Sequence, residues 1–297
     1  MKASSFLIVG LARNCAKSLR INVVALERAF EDAQDISWFI VESDSEDKTI
    51  EVLHELEKER SNFQYISLGN LRHKYLKRTE RIAFCRNKYL DFVATNPSCK
   101  KFDYIVVSDL DNFDSRLTTA GVQSCWQRGD WDVCCANQKG PYYDIWALRH
   151  PLWCPTNCWE QASQLEALGL SPFKSVFVSV YGKMVHIPIN SDWIEVESAF
   201  GGLAVYKKSV LDSVSYNGLG KNGEEVCEHV SLHRMIRSEG GKIFINPALI
   251  NAGVVSHSRN ATSFGLLRFW IRCQIMSLLD RLRFTHLVKR LKDMSLA

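Results

Sequence analysis

No run of apolar residues in this 297-residue sequence approaches the roughly eighteen that a membrane-spanning helix needs, so no spanning segment is expected. The first apolar stretch, Ser5-Phe6-Leu7-Ile8-Val9-Gly10, is only strand length and lacks a cleavage-site pattern, so a secretory leader is not expected either. Cysteine is present ten times, but Cys134-Cys135 and Cys154-Pro-Thr-Asn-Cys158 are the only close pairs. Neither has a second ligand pair at zinc-like spacing, which argues against structural zinc. The expectation is free thiols in a reducing cytoplasm, and Asn260-Ala-Thr262 is then a chance match to a glycosylation acceptor. Extreme charge is absent too: the net +4 does not imply nucleic acid. There are no repeats or low-complexity segments. Leu11 to Ser18, which follows the first apolar stretch, holds no glycine, so the phosphate loop expected of a nucleotidyltransferase is missing.

What is present is an ordinary globular composition, 46% hydrophobic and 24% charged, with ample core for one large domain or two small ones. Residues 6–10 read as a buried strand. Leu19, Val23, Leu26, Ala29 and Phe30 then recur at helical spacing. Trp38-Phe39-Ile40-Val41 is a second strand, followed by a helix from Thr49 to about Arg60 with Ile50, Leu53 and Leu56 on one side. Residues 63–68 read as a third strand, residues 78–94 as a helix and residues 104–108 as a fourth strand. This alternation predicts a mostly parallel sheet with helices on both faces, and ligands in such sheets bind beyond the carboxyl ends of the strands. The second half is less regular. It contains an aromatic-rich region (126–159), a β-like run (174–185), the loop Ser198-Ala-Phe200-Gly201-Gly202, a helical stretch (227–237) and a strand (242–245). Aromatic residues suit sugar stacking as well as core filling.

Asp109-Leu110-Asp111 ends the fourth strand. Carboxylates two residues apart in extended chain point the same way and form a small acidic claw. Mg²⁺ or Mn²⁺ prefers such oxygen ligands and shares them with diphosphates, and Asn112 and Asp114 offer further oxygens. The same residues also suit a plain polar turn, so the surroundings decide.

Those surroundings form an ordered set: a first strand ending in Ala-Arg13-Asn14, a second ending in Glu42-Ser-Asp44-Ser-Glu-Asp47-Lys-Thr49, and Arg86-Asn87 in the helix before the acidic strand end. The order resembles that of the GT-A nucleotide-sugar glycosyltransferases. Within them, Asp109-Leu-Asp111, Tyr142-Tyr143-Asp144-Ile-Trp146-Ala-Leu-Arg149, the Gly-Gly loop with Ala204-Val-Tyr206, and Cys227-Glu228-His229 followed by Phe244-Ile-Asn246-Pro247 resemble the fungal capsule-type α-1,3-mannosyltransferases. The resemblance covers residues 6–258. It implies a GT-A fold in residues 1–260, with a nucleotide-binding half (1–115) and an acceptor half (116–260). The fungal enzymes carry an N-terminal membrane anchor, so the expectation here is a bacterial-style relative that moves a hexose, mannose among the options, onto a glycan or lipid-linked acceptor of a surface polysaccharide.

The resemblance makes Asp111 the direct ligand of Mn²⁺ or Mg²⁺ and places Asp109 on the ribose or on metal-bound water. It takes a third ligand from His257, which equally suits a surface position. Glu42 and Asp44 are expected at the nucleobase, Arg13 and Asn14 at the nucleotide, and Arg81, Arg86 and Asn87 at the diphosphate. Asp47 or Ser45 also suits a helix cap before Thr49. Gly201 and Gly202 would allow close backbone approach. Glu228 is expected at the anomeric carbon as general base or sugar contact, the first role for an inverting and the second for a retaining reaction; the fungal likeness favours retention. Asp144, Trp146 and Arg149 are acceptor-side candidates.

Residues 261–297 change character. Phe264, Leu267, Ile271, Ile275, Leu278, Leu282 and Phe284 mark an amphipathic helical segment. From Gly265 onward seven Lys or Arg stand against Asp280 and Asp293. Such a tail suits an anionic membrane surface on the cytoplasmic side, or packing on the catalytic domain. Besides the transferase, two other functions suit parts of the pattern: a nucleotidyltransferase, and a non-catalytic glycan- or nucleotide-binding module.

Overall fold

Apolar side chains that alternate along each strand decide the layers of this molecule. The computed structural model describes residues 3–111, 116–253 and 256–281. The strands are β1 (Ser5–Ala12), β2 (Asp35–Glu42), β3 (Phe63–Ser67), β4 (Tyr104–Ser108), β5 (Val133–Gln138), β6 (Ile194–Val196), β7 (Leu203–Lys207) and β8 (Ile243–Ala252). They form one sheet in the order β3-β2-β1-β4-β7-β5-β8-β6. The helices are α1 (Ala16–Ala29), α2 (Thr49–Glu59), α3 (Arg78–Thr95), α4 (Thr119–Gln123), α5 (Cys158–Ala167), α6 (Pro172–Ser179), α7 (Glu228–Ser238) and α8 (Ser263–Arg281).

In β1, Phe6 and Ile8 turn to one face and Leu7 and Val9 to the other, as strand geometry requires. The first face packs on Leu19, Val23 and Leu26 of α1 and on Leu53 and Leu56 of α2. The second packs on Ala83, Tyr89 and Val93 of α3 and on Leu232 and Ile236 of α7. A sheet buried on both faces reads as near-continuous apolar runs, which is why β1, β2 and β4 are legible in the sequence.

The β3-β2-β1-β4 half is entirely parallel, as the strand–helix alternation predicts. Beyond it the sheet becomes mixed: β7 runs antiparallel to both β4 and β5, β5 is parallel to β8, and β6 is antiparallel at the edge. One sheet therefore runs from Ser5 to Ala252, through residues of both sequence halves.

Residues 174–185 correct the β-like expectation. They hold the end of α6 and a helical turn over Tyr181–Lys183. Val176 and Val178 favour strand by propensity, but Ser171 caps the helix by accepting from the Lys174 N–H at 3.5 Å, and Pro172 occupies its first turn. Residues 282–297 lie outside the described residues.

Candidate active site

The antiparallel register of β4 and β7 brings two loops together. Ser108 ends β4 opposite Leu203, which starts β7, so the Asp109 N–H donates to the Gly202 carbonyl at 2.9 Å. Gly201 and Gly202 have φ of +72° and +80°, a conformation that side-chain-bearing residues rarely adopt. Space is short as well. A Cβ on Gly202 would lie 2.7 Å from the Tyr143 hydroxyl and 2.8 Å from Asn251 Nδ2, and one on Gly201 would lie 2.4 Å from the Ala136 carbonyl. Gln138 Nε2 and Asn251 Nδ2 donate to the Gly201 carbonyl at 2.9 and 3.2 Å, and Asp144 accepts from the Gly201 N–H at 2.9 Å. The glycine pair is thus the floor on which Asp109 rests.

Asp111 is exposed, and 41% of the Asp109 side chain is open to water. The Asp109 carboxyl is pushed up to about 7, first by burial and then by Asp111, with Asp144 and Glu228 adding to the rise and Arg86 opposing it. Its partial exposure tempers the burial contribution, which leaves the crowding of carboxylates as the more durable cause.

Arg86 sits behind this acidic rim and is buried. Its Nε donates to Glu228 Oε1 at 2.9 Å, its Nη1 to the Tyr89 hydroxyl at 3.2 Å, and its Nη2 lies 3.7 Å from Asp109 Oδ1. The Phe200 and Tyr216 rings flank the guanidinium at 5.4 and 5.6 Å. Glu228 opens α7 and keeps only 8% of its side chain exposed. In this structure Glu228 is the buried counter-charge of Arg86. Arg86 turns its guanidinium inward to Glu228, Tyr89 and Asp109. His229 stacks on Phe200 with ring centres 3.9 Å apart, and neither of its ring nitrogens has a hydrogen-bond partner. Burial holds it neutral, with its pKa well below the usual imidazole range, and Arg86 adds to the effect.

The ends of β1 and β2 form a second cluster. Asn14, at φ +50°, accepts from the Glu46 N–H at 2.7 Å and so ties the β1–α1 loop to the β2–α2 loop. Glu42 is fully buried; its carboxylate accepts from the Ser45 N–H at 3.0 Å and from the Ser67 hydroxyl at 2.5 Å. Glu42 also borders the cavity that Asp44 lines. Asp44 accepts from the Leu71 and Arg72 N–H groups at 2.9 and 3.0 Å, and Arg81 Nε lies 4.0 Å from its other oxygen. Asp44 therefore holds the β3–α3 loop while lining a cavity of about 150 Å³ with Ser45, Glu46, Ile50, Asn70 and Arg72. Arg13 is exposed beside this group. Its pKa is lowered by partial burial and by the neighbouring Arg72, Arg81 and Arg78 guanidinium groups, against Asp44.

Asn87 pairs with the Tyr216 backbone, donating to its carbonyl at 3.0 Å and accepting from its N–H at 2.8 Å. Both ends of the amide are engaged in the scaffold. Trp146 is half-buried against the core, and Arg149 donates to the Trp146 and Leu148 carbonyls. Sequence reasoning missed Gln138, Tyr143 and Asn251 as site residues; each reaches the Gly-Gly floor only through tertiary folding, with no local signal. Asn112, Asp114 and the side chain of His257 lie outside the described residues. Among the described residues no group of three or more His, Cys, Asp or Glu side chains is placed to hold a metal.

One mixed, mostly parallel sheet covered by helices on both faces is the architecture that the GT-A resemblance implies. No protein-family model matches the chain, and no curated protein matches it. Among solved structures it is similar to TarS of S. aureus in complex with UDP-GlcNAc, with 12% identity and a TM-score of 0.48 over 84% of this chain and 58% of that one. It is also similar to the mannosyltransferase PcManGT from Pyrobaculum calidifontis in complex with GDP-Man and Mn²⁺, with 12% identity and a TM-score of 0.47 over 93% and 62%. A third similar structure is glucosyl-3-phosphoglycerate synthase from Mycobacterium tuberculosis with UDP, with 13% identity and a TM-score of 0.39 over 94% and 80%. The chain spans about three fifths of the length of the TarS 1–349 fragment and of the mannosyltransferase, and 36% of the longer TarS structure.

Proposed function

We propose that this protein is a metal-assisted glycosyltransferase that moves a hexose from a nucleotide diphosphate sugar to a glycan or lipid-linked acceptor. The observation that carries the reading is the Asp109–Asp111 strand end, open to solvent, seated on the Gly201-Gly202 floor and backed by the Arg86–Glu228 pair. The donor set fits Mg²⁺ or Mn²⁺. Asp111, Asp144 and Glu228 all act on the Asp109 carboxylate, with Arg86 opposing them, and Asp109 and Asp111 would be the hard oxygen ligands of the ion. When bound, such an ion neutralises the charge that grows on the departing diphosphate.

The chain's own residues supply position. The Gly202 carbonyl fixes the Asp109 backbone, and Arg86 holds the Asp109 carboxylate from behind. The clamped β1–α1 and β2–α2 loops shape a cleft in which Arg13 offers an anion contact at the nucleotide side. Mannose is the first sugar to test, because the motif set resembles that of the fungal mannosyltransferases.

The test is thermal unfolding with UDP, GDP, ADP and their sugars, with and without Mn²⁺. One nucleotide is expected to stabilise the protein only when metal is present, by about 2.7 kcal/mol at a hundredfold excess over its Kd. Asp111→Asn is expected to abolish the metal-dependent part. Stabilisation that ignores both metal and Asp111 would leave a non-catalytic nucleotide- or glycan-binding module as the better reading.

A further inference from the structure

We infer that α8 is a docking face for an anionic lipid surface. The helix has two unlike sides. Phe269 packs against Phe173 of α6 at 5.3 Å and Tyr181 at 4.9 Å between ring centres, and Gly265 beside it is buried. At about 100° per residue, Phe264, Leu267, Ile271, Ile275 and Leu278 fall on the opposite side in one stripe. These five and Trp270 are between 43% and 71% exposed. Apolar residues are ordinarily the packed face of a surface helix, yet here both sides are apolar.

The unit beneath α8 shares the trait. Residues 152–189 contribute six more of the seventeen large apolar side chains that are exposed among the described residues, Leu152 and Leu168 foremost. An apolar stripe along one exposed helix face marks an interaction surface rather than scattered surface residues. No helix of the described residues is long and apolar enough to cross a membrane, so the stripe would lie on a bilayer and not through it.

Charge selects the occupant. Arg268 and Arg272 stand on one shoulder of the stripe and Trp270 on the other, the pairing that suits a headgroup layer, where an indole ring sits at the interface and guanidinium meets phosphate. The sequence after Arg281 adds Arg283, Lys289, Arg290 and Lys292 against Asp293 alone. A second copy of this chain would bring identical cationic faces together, which like-charge repulsion opposes. An anionic bilayer satisfies the apolar stripe and the cationic rim at once.

The inference stands apart from the donor and its metal; joined to the transferase reading, it makes the acceptor lipid-borne. The test is co-sedimentation of the full chain with vesicles of phosphatidylglycerol and phosphatidylcholine, against phosphatidylcholine alone. Binding to the anionic vesicles only, weakening as salt rises, is expected. Leu267→Glu with Ile271→Glu should weaken it at least about tenfold and leave the unfolding midpoint unchanged, because both side chains point away from α6. Ile275→Glu, one turn further on, gives an independent reading if the double variant unfolds. Wild-type protein that ignores anionic vesicles, or variants that bind as wild type does, would overturn the inference. So would a dimer in velocity sedimentation that the same substitutions dissolve. Nucleotide stabilisation is read without vesicles, so either reading can fail alone.

Discussion

Gly202 shows how closely this site depends on single residues. Its φ of +80° and the atoms 2.7–2.8 Å from the Cβ position leave no room for a side chain, and its carbonyl holds Asp109. Gly202→Ala is expected to cost roughly 1–3 kcal/mol in urea unfolding and to weaken nucleotide binding through Asp109. Gly169→Ala is the control: φ is also positive, at +93°, but nothing lies within 4 Å, so only roughly 1 kcal/mol of backbone strain is expected and binding is left intact. At Arg86 the effect is electrostatic. Arg86→Met strands the buried Glu228 carboxylate and should destabilise by roughly 3–5 kcal/mol. Adding Glu228→Gln should recover part of that loss, because the unpaired charge is gone; equal stability of the single and double variants would mean that the pair is not coupled. That Asp109 and Asp111 act on one another was legible from their two-residue spacing. The inward turn of Arg86 and the burial of Glu42 and Glu228 were not, because a charged residue in a sequence carries no mark of whether its partner covers it.

Among the elements, the loops after β1 and β2 are joined by side chains acting as backbone partners. Asp47 accepts from the Thr49 N–H at 2.9 Å and from the Ala16 N–H at 3.2 Å, and the Thr49 hydroxyl accepts from the Cys15 N–H at 2.9 Å. One carboxylate thereby serves the first turns of both α1 and α2. These bonds lower the Asp47 pKa against burial, so its contribution is present above the ordinary carboxylate range and fades as pH falls through the lowered value. Asp47→Ala is expected to cost about 1–2 kcal/mol and to loosen amide protection at the start of both helices in hydrogen exchange. The cap role was readable beside Thr49; its reach to α1 was not, since that contact spans 31 residues. Residues 174–185 show the converse, a β-branched run overruled by a serine cap and a proline whose preference for the first helical turn is stronger.

For the molecule as a whole, two buried histidines weaken the fold as pH falls, and the raised Asp109 carboxyl acts the other way. His233 bridges the Ser198 and Tyr206 hydroxyls at 2.9 and 2.8 Å, and burial alone lowers its pKa to about 3 from 6.5. Between those values the unfolded chain binds a proton that the native state refuses, so stability falls as pH falls, by about 1.4 kcal/mol per unit. His229 acts in the same direction. Urea midpoints should therefore drop steadily below about pH 6.5, and His233→Gln should flatten that slope; an unchanged slope would show that the histidine is protonated in the native state. The parallel half of the sheet follows from the sequence by itself, because strands buried on both faces and separated by amphipathic helices leave little choice of architecture. So does the closeness of Asp109 and Asp111, two residues apart just past the end of β4. Only the tertiary structure decided the mixed half, where β7 reverses direction and thereby lays Gly201-Gly202 under Asp109. It alone decided which carboxylates face water and which face Arg86, because burial and pairing are set by segments that lie up to 142 residues apart along the chain.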